Sequence, residues 1–148
     1  MAGNSRPLEV PNFKYHPNPF SSRALEDSDA VCECCGQARG CVYEGPVYCT
    51  VEVNCVCPWC IADGSAHAKW DAEFTDAFFR DSDGERVEIA PEVRQEVLCR
   101  TPGVVGACQS ITWWVHCGEP AKFLRVEDDR VKFQCSVCNK NHSYRDLD

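Results

Sequence analysis

Cys32-Glu33-Cys34-Cys35-Gly36 and Cys57-Pro58-Trp59-Cys60-Ile61-Ala62-Asp63-Gly64-Ser65-Ala66 are the stretches whose reading decides the fold. In a zinc knuckle two thiolates two residues apart curl around one metal, and glycine just after the second cysteine permits the turn. Cys32, Cys35 and Gly36 meet that requirement. The second pair leads into a segment that reads as a helix, with Pro58 suited to its first turn or to the turn leading into it. Ala66, Trp70, Phe74, Ala77 and Phe78 recur at spacings of three and four and predict one apolar helix face. Between the pairs, Cys41-Val42-Tyr43 and Val47 to Val53 flank Glu44-Gly45-Pro46, a hairpin signal. Knuckle, hairpin, then a helix carrying two more thiols is the order of a treble-clef module. Cys32, Cys35, Cys57 and Cys60 are therefore the expected ligands of a closed structural Zn²⁺ site, whose excess negative charge backbone amides and basic residues must offset. The bland alternative is two unrelated pairs of small buried hydrophobes, since free cysteine packs well.

The wider composition supports metal ligation. Thirteen of 148 residues are cysteine, an odd number, and three pairs have CxxC spacing. Chance placement would give about one such pair. Met1 to Pro11 carries charges and two prolines where a secretory signal needs an apolar run. The expectation is a cytoplasmic protein with reduced thiols. No run is apolar enough to span a bilayer. The net charge of -8 disfavours nucleic acid as a partner and points to protein.

Farther along, Asp81-Ser82-Asp83-Gly84 reads as a turn, and Pro91 to Arg100 as a short helix with Val93, Val97 and Leu98 as its stripe. Cys99 beside that stripe reads as packing. From Ser110 the pattern becomes strands: Ile111 to Val115, Ala121 to Val126, and Arg130 to Gln134 after an Asp128-Asp129 turn. Cys117, Cys135 and Cys138 at strand ends suggest a second, ribbon-like zinc site. Its fourth ligand is His116 or His142; adjacent ligands need a strained turn, which favours His142. The expected fold is α+β, with a flexible arm over residues 1–12, a treble-clef-like module with following helices over 13–103, and a β-rich part over 104–148.

Several stretches together resemble the CbrC family: Asn12 to Pro19, Cys32 to Gly40, Gly45 to Tyr48, Cys57 to Ala66, Arg100 to Gly103, His116-Cys117-Gly118 and the closing Cys135-x-x-Cys138. The resemblance covers nearly the whole chain after residue 12. It implies a bacterial cytosolic protein and assigns no chemistry. Where glycine commonly follows the last cysteine of that family, this chain has Asn139, which also tolerates a left-handed backbone.

Three functions fit these residues. The leading one is a non-catalytic zinc-stabilised interaction module, in which Trp113, Trp114 and Lys132 offer a surface for stacking and phosphate contacts if the partner is nucleic acid. The alternative is a thiol–disulfide oxidoreductase using Cys57-Pro58-Trp59-Cys60 at a helix N-terminus. The third is a hydrolytic metal site on a helix face bearing Asp63, His67 and Asp71. Cys34, Cys41, Cys49, Cys55, Cys99 and Cys108 receive no ligand role.

Overall fold

The computed structural model describes residues 10–105 and 111–145, so Cys108 and most of the expected N-terminal arm lie outside the described residues. The chain mixes short helices and strands, with strands dominant. Strand β1 (Leu25–Asp27) pairs antiparallel with β2 (Cys41–Tyr43). Residues 47–53 do not return as the expected hairpin partner. The Tyr43 N–H instead donates to the Val56 carbonyl at 2.9 Å, and Tyr48 bridges to Glu73. Pro46 helps set this geometry: its carbonyl accepts the Tyr43 hydroxyl at 2.7 Å, turning the chain away from β2. Bonding Val56 to β2 also delivers Cys57 beneath the first knuckle.

The single long helix expected after Cys57 is two short ones and a strand. Helix α1 (Pro58–Ala62) stops at Asp63, α2 (Ser65–Trp70) follows, and β3 (Ala77–Arg80) is extended. Gly64 at φ 83° breaks the first helix, and Asp71 at φ 53° ends the second. Ala77 and Phe79 are buried while Phe78, expected on the apolar helix face, is exposed, so this segment follows a period of two. The sequence pattern was compatible with both periods. Pairing β3 in parallel with β4 (Ile111–His116), 34 residues away in register, selects the strand.

Helix α3 (Pro91–Cys99) forms where Pro91 predicts, buries Val97, Leu98 and Cys99, and so gives Cys99 its packing role. Strand β5 (Glu119–Pro120) pairs with β4, and β6 (Lys122–Glu127), β7 (Arg130–Gln134) and β8 (Asn141–Arg145) form an antiparallel meander. Asp128 and Asp129, at φ 53° and 62°, make the two-residue turn between β6 and β7, a conformation aspartate tolerates better than most residues.

The core has two parts. Leu25, Val56, Ile61, Ala66 and Phe74 pack with Cys32, Cys57 and Cys60 in the first. The second joins α3 and β3 to β4, β6 and β7 through Val97, Phe79, Trp113, Trp114, Phe123 and Phe133. Residues 77–99, grouped by sequence with the N-terminal module, thus contribute to the second core. Trp113 and Trp114 are 0% and 1% exposed, and their indole N–H groups donate to the Ala121 carbonyl and Ser82 hydroxyl. They are core residues and offer no stacking surface. Phe13 lies in one core and Tyr15 in the other. Next in the chain, His16 is fully buried, bonding Pro102 through Nδ1 at 2.8 Å and Ser22 through Nε2 at 2.6 Å, with its ring edge-on to Phe123. Burial pushes its pKa down to about 4.

Candidate metal centres

The first knuckle is built by three local hydrogen bonds. Cys32 N–H donates to the Gln37 carbonyl at 2.9 Å, Gly36 N–H to the Cys32 carbonyl at 2.8 Å, and Cys34 N–H to Cys32 Sγ at 3.3 Å. Gly36 has φ 74°, which explains glycine at this position. The other half comes from α1: Cys57 precedes it, Pro58 occupies its first turn and Cys60 lies one turn on. Cys57 N–H donates to Cys32 Sγ at 3.3 Å, tying the halves together.

The four sulfurs are spaced for one tetrahedral ion. A Zn–S distance of 2.3 Å requires S···S edges of about 3.8 Å. The observed separations are 3.9 Å for Cys32–Cys60, 3.9 Å for Cys35–Cys57 and 3.7 Å for Cys57–Cys60. No disulfide joins the described cysteines. Burial opposes ionisation of Cys32, but the N–H groups of Cys35, Cys57 and Cys34 outweigh it and hold its pKa down. Burial, reinforced by the negative charge of Cys32, pushes Cys57 up to about 12 and also raises Cys60. One thiolate is thus prepared by amides, and a divalent cation is what would let the others ionise beside it. Arg39 over the Trp59 ring and Lys69 on the Glu33 carbonyl bring positive charge to the rim.

The second cluster comprises His116, Cys117, Cys135 and Cys138, whose ligand atoms lie within 4.8 Å of one another. Its knuckle repeats the first bond for bond. Cys135 N–H donates to the Lys140 carbonyl at 2.8 Å, Asn139 N–H to the Cys135 carbonyl at 3.0 Å, and Val137 N–H to Cys135 Sγ at 3.3 Å. Asn139 takes φ 65° where Gly36 takes 74°. Here too the first thiol is amide-held: burial resists, but the Cys138 N–H, His116 and the Val137 N–H bring Cys135 down to about 6. Cys117 is pushed up to about 11 by desolvation and by its hydrogen bonding with the Cys138 and Cys135 thiols.

The structure brings His116, and not the expected His142, beside the three sulfurs. Adjacent ligands do require a strained turn, and it is present: Cys117 at φ 55° and Gly118 at φ 82° form the hairpin turn between β4 and β5. The left-handed Cys117 lets its sulfur share one centre with the preceding ring. His116 Nδ1 lies 3.4 Å from Cys117 Sγ and 3.5 Å from Cys138 Sγ, against about 3.5 Å for an N···S edge around zinc. His142 lies in β8, opposite Phe133 in register, with its ring stacked on Trp114 at 4.7 Å. The residue that sequence reasoning set second was signalled by Gly118, a turn residue immediately after the His-Cys pair.

The proposed hydrolytic face is not assembled. The break at Gly64 puts Asp63 at the end of α1, where it accepts the Ser65 N–H, while both His67 ring nitrogens contact protein groups, the Ala72 carbonyl and the Gln95 amide. Among the six cysteines given no role, Cys41 and Cys99 are buried and Cys34, Cys49 and Cys55 are partly so.

Residues 10–132 match an uncharacterised protein family, UPF0167, and the chain belongs to that family. The match contains the first cluster together with His116 and Cys117; Cys135 and Cys138 lie beyond it. UPF0167 proteins of Mycobacterium bovis and Mycobacterium tuberculosis are each 45% identical over 121 residues, 81% of this chain. One from Pseudomonas aeruginosa is 41% identical over 116 residues, 77% of this chain. The chain spans 62% of the length of each of these relatives. No solved structure matches it.

Proposed function

We propose that this UPF0167 protein is a non-catalytic interaction module held together by two zinc ions in a treble-clef-like first half and a ribbon-like second half. Cys32, Cys35, Cys57 and Cys60 hold one ion, and His116, Cys117, Cys135 and Cys138 the other. The observation that carries this reading is the match of the sulfur and nitrogen spacings to a tetrahedral ion of zinc's size in both clusters. A closed site of four protein ligands leaves no position for substrate and contributes to folding instead. The acidic balance favours a protein partner over nucleic acid, and the free thiols suit the reducing cytoplasm. The resemblance to CbrC proteins is consistent with a bacterial cytosolic setting.

The experiment is metal quantitation by native mass spectrometry on protein purified without added zinc. Two equivalents of zinc, with loss of helical signal on chelation, are expected; metal-free protein with an unchanged melting curve overturns the reading. The redox alternative keeps one supporting observation, Cys57 immediately before α1 with Pro58 in its first turn. Cys57 is 1% exposed, however, and a substrate disulfide cannot reach a buried sulfur. Rapid alkylation of Cys57 in metal-loaded protein would establish the dithiol instead.

A further inference from the structure

The outer face of the β6–β8 meander carries a charge opposite to that of the chain. Antiparallel partners share a face, and Phe123 with Phe133, and Val126 with Val131, pair on the side turned to the core. On the other side Arg125, Lys132 and Ser143 form the middle row, with Lys122 in the row before it and Glu127, Arg130 and Arg145 in the row after. The three strands hold five basic residues and one acidic one, in a chain with 15 basic and 23 acidic residues. Lys132 and Arg125 share the one carboxylate of Glu127, at 2.6 and 3.6 Å, while Lys122 and Arg130 have no ion-pair partner among the described residues. The acids of the Asp128-Asp129 turn stand at the Arg130 end, so the positive surplus lies toward Lys122, Arg125 and Lys132.

A β-bulge adds an apolar element to this face. The pairing passes from Phe123–Phe133 directly to Arg125–Lys132, which leaves Leu124 as the extra residue of β6. Phe123 is fully buried, whereas Leu124 is half-buried and lines, with Arg125, Lys132, Asn141 and Ser143, a depression of about 380 Å³. Neither aspartate nor glutamate among the described residues lines it. One aliphatic side chain is thus set among two cations and two neutral hydrogen-bonding groups. The Cys135–Cys138 knuckle joins β7 to β8, so the second cluster stands at the end of the same sheet and fixes the strand that carries Asn141 and Ser143.

From this geometry we infer a docking site for an acidic peptide segment of a partner protein, one in which carboxylates flank an aliphatic side chain. The inference rests on the reading of the chain as a protein-binding module and names the partner's chemistry. The aliphatic side chain packs on Leu124, and the carboxylates accept hydrogen bonds from Lys122, Arg125 and Lys132. A depression of this size admits one such side chain with its neighbours at the rim. Nucleic acid fits the face less well. Its aromatic rings, Phe123 and Phe133, are 0% and 1% exposed and offer a base no stacking partner. Glu127 also interrupts the basic rows, which a peptide with spaced carboxylates tolerates and a backbone charged at every nucleotide does not.

The test titrates the full metal-loaded chain by amide NMR with acetyl-Glu-Glu-Leu-Glu-Glu-amide. Saturable shifts at Leu124, Lys132 and Ser143 are expected, with affinity about tenfold weaker for the peptide carrying glutamine in place of every glutamate. The peptide with serine in place of leucine should bind about fivefold more weakly, since it leaves Leu124 uncovered. Arg125→Gln, at an exposed position, should weaken the acidic peptide about fivefold with the melting temperature unchanged, and Arg125→Lys should restore most of the loss. Equal binding of the glutamate and glutamine peptides or of the leucine and serine peptides, absence of saturation, or an Arg125→Gln variant indistinguishable from the parent overturns the proposal. Tighter binding of an oligothymidylate of equal charge also overturns it and assigns the face to nucleic acid. Zinc is quantified in the same sample: a loaded chain that ignores the peptide overturns this inference alone, and a folded metal-free chain that binds it overturns the metal reading alone.

Discussion

The two knuckles share their hydrogen bonds and differ in what completes them. Cys32 and Cys135 each start a turn with the same three donors, and each is the thiol whose pKa is lowered within its cluster. The first is completed by the start of a helix inside a core, so Cys32, Cys57 and Cys60 are at most 3% exposed. The second is completed by a two-residue hairpin turn at the surface, where Cys117 and Cys138 are exposed. A knuckle is a local device that prepares one thiolate. The element that supplies the opposite ligands decides whether the centre is buried structure or open to solvent and competing ligands.

The largest expected effect comes from breaking the buried centre. Cys60→Ser should remove one metal equivalent and destabilise the protein by about 3 kcal/mol or more, since a structural site's binding energy is folding energy. Denaturant unfolding with metal quantitation checks it; a loss no greater than that of Cys117→Ser would erase the contrast between the clusters.

Next is the seam at His16, which contacts both Pro102 and Phe123. Its folded pKa is about 4 against the ordinary 6.5. Above pH 6.5 the ring is neutral in both states and stability is complete. As pH falls from 6.5 to 4 the unfolded chain takes up a proton that the folded chain resists, and stability declines by up to about 3 kcal/mol. His16→Gln should lose this part of the pH dependence. Comparing the two proteins by denaturant unfolding across that window cancels the titration of the cysteine ligands, and parallel curves would refute the assignment.

A smaller effect separates the clusters kinetically. With a chromogenic chelator, metal release should be biphasic, the His116 cluster emptying first. Cys117→Ser should eliminate the fast phase, retain the slow one and cost about 1–2 kcal/mol. A single phase in the parent protein would mean that exposure does not control release.

The smallest effect compares the matched turn positions. Gly36→Ala meets no atoms within 4 Å, so its cost should be conformational, about 1 kcal/mol. Gly36→Asn should cost less, because Asn139 already adopts the equivalent conformation. Thermal melts decide, and equal losses for the two substitutions would show that the second knuckle gains nothing specific from asparagine.

Much of this architecture was legible because it is local. Gly36 after Cys35, Pro91 at a helix start, and Asp128-Asp129 between alternating strands each express preferences that operate within a few residues. The grouping of Cys32, Cys35, Cys57 and Cys60 was legible for the same reason, as two short motifs with an obvious common use. Other features depended on pairings that no window contains. Ala77 and Phe78 fitted a helix face until β4 offered a parallel partner, and residues 47–53 fitted a hairpin until Val56 took the hydrogen bond on β2. His142 and His116 were nearly equivalent as letters; β8 carries one onto Trp114, while the left-handed turn at Cys117 brings the other to the sulfurs. The sequence by itself determined the turns that prepare each thiolate, since φ preference and adjacent amides suffice for that. Tertiary structure decided which distant ligands meet them and how deeply, because burial and strand pairing are properties of segments brought together across the chain.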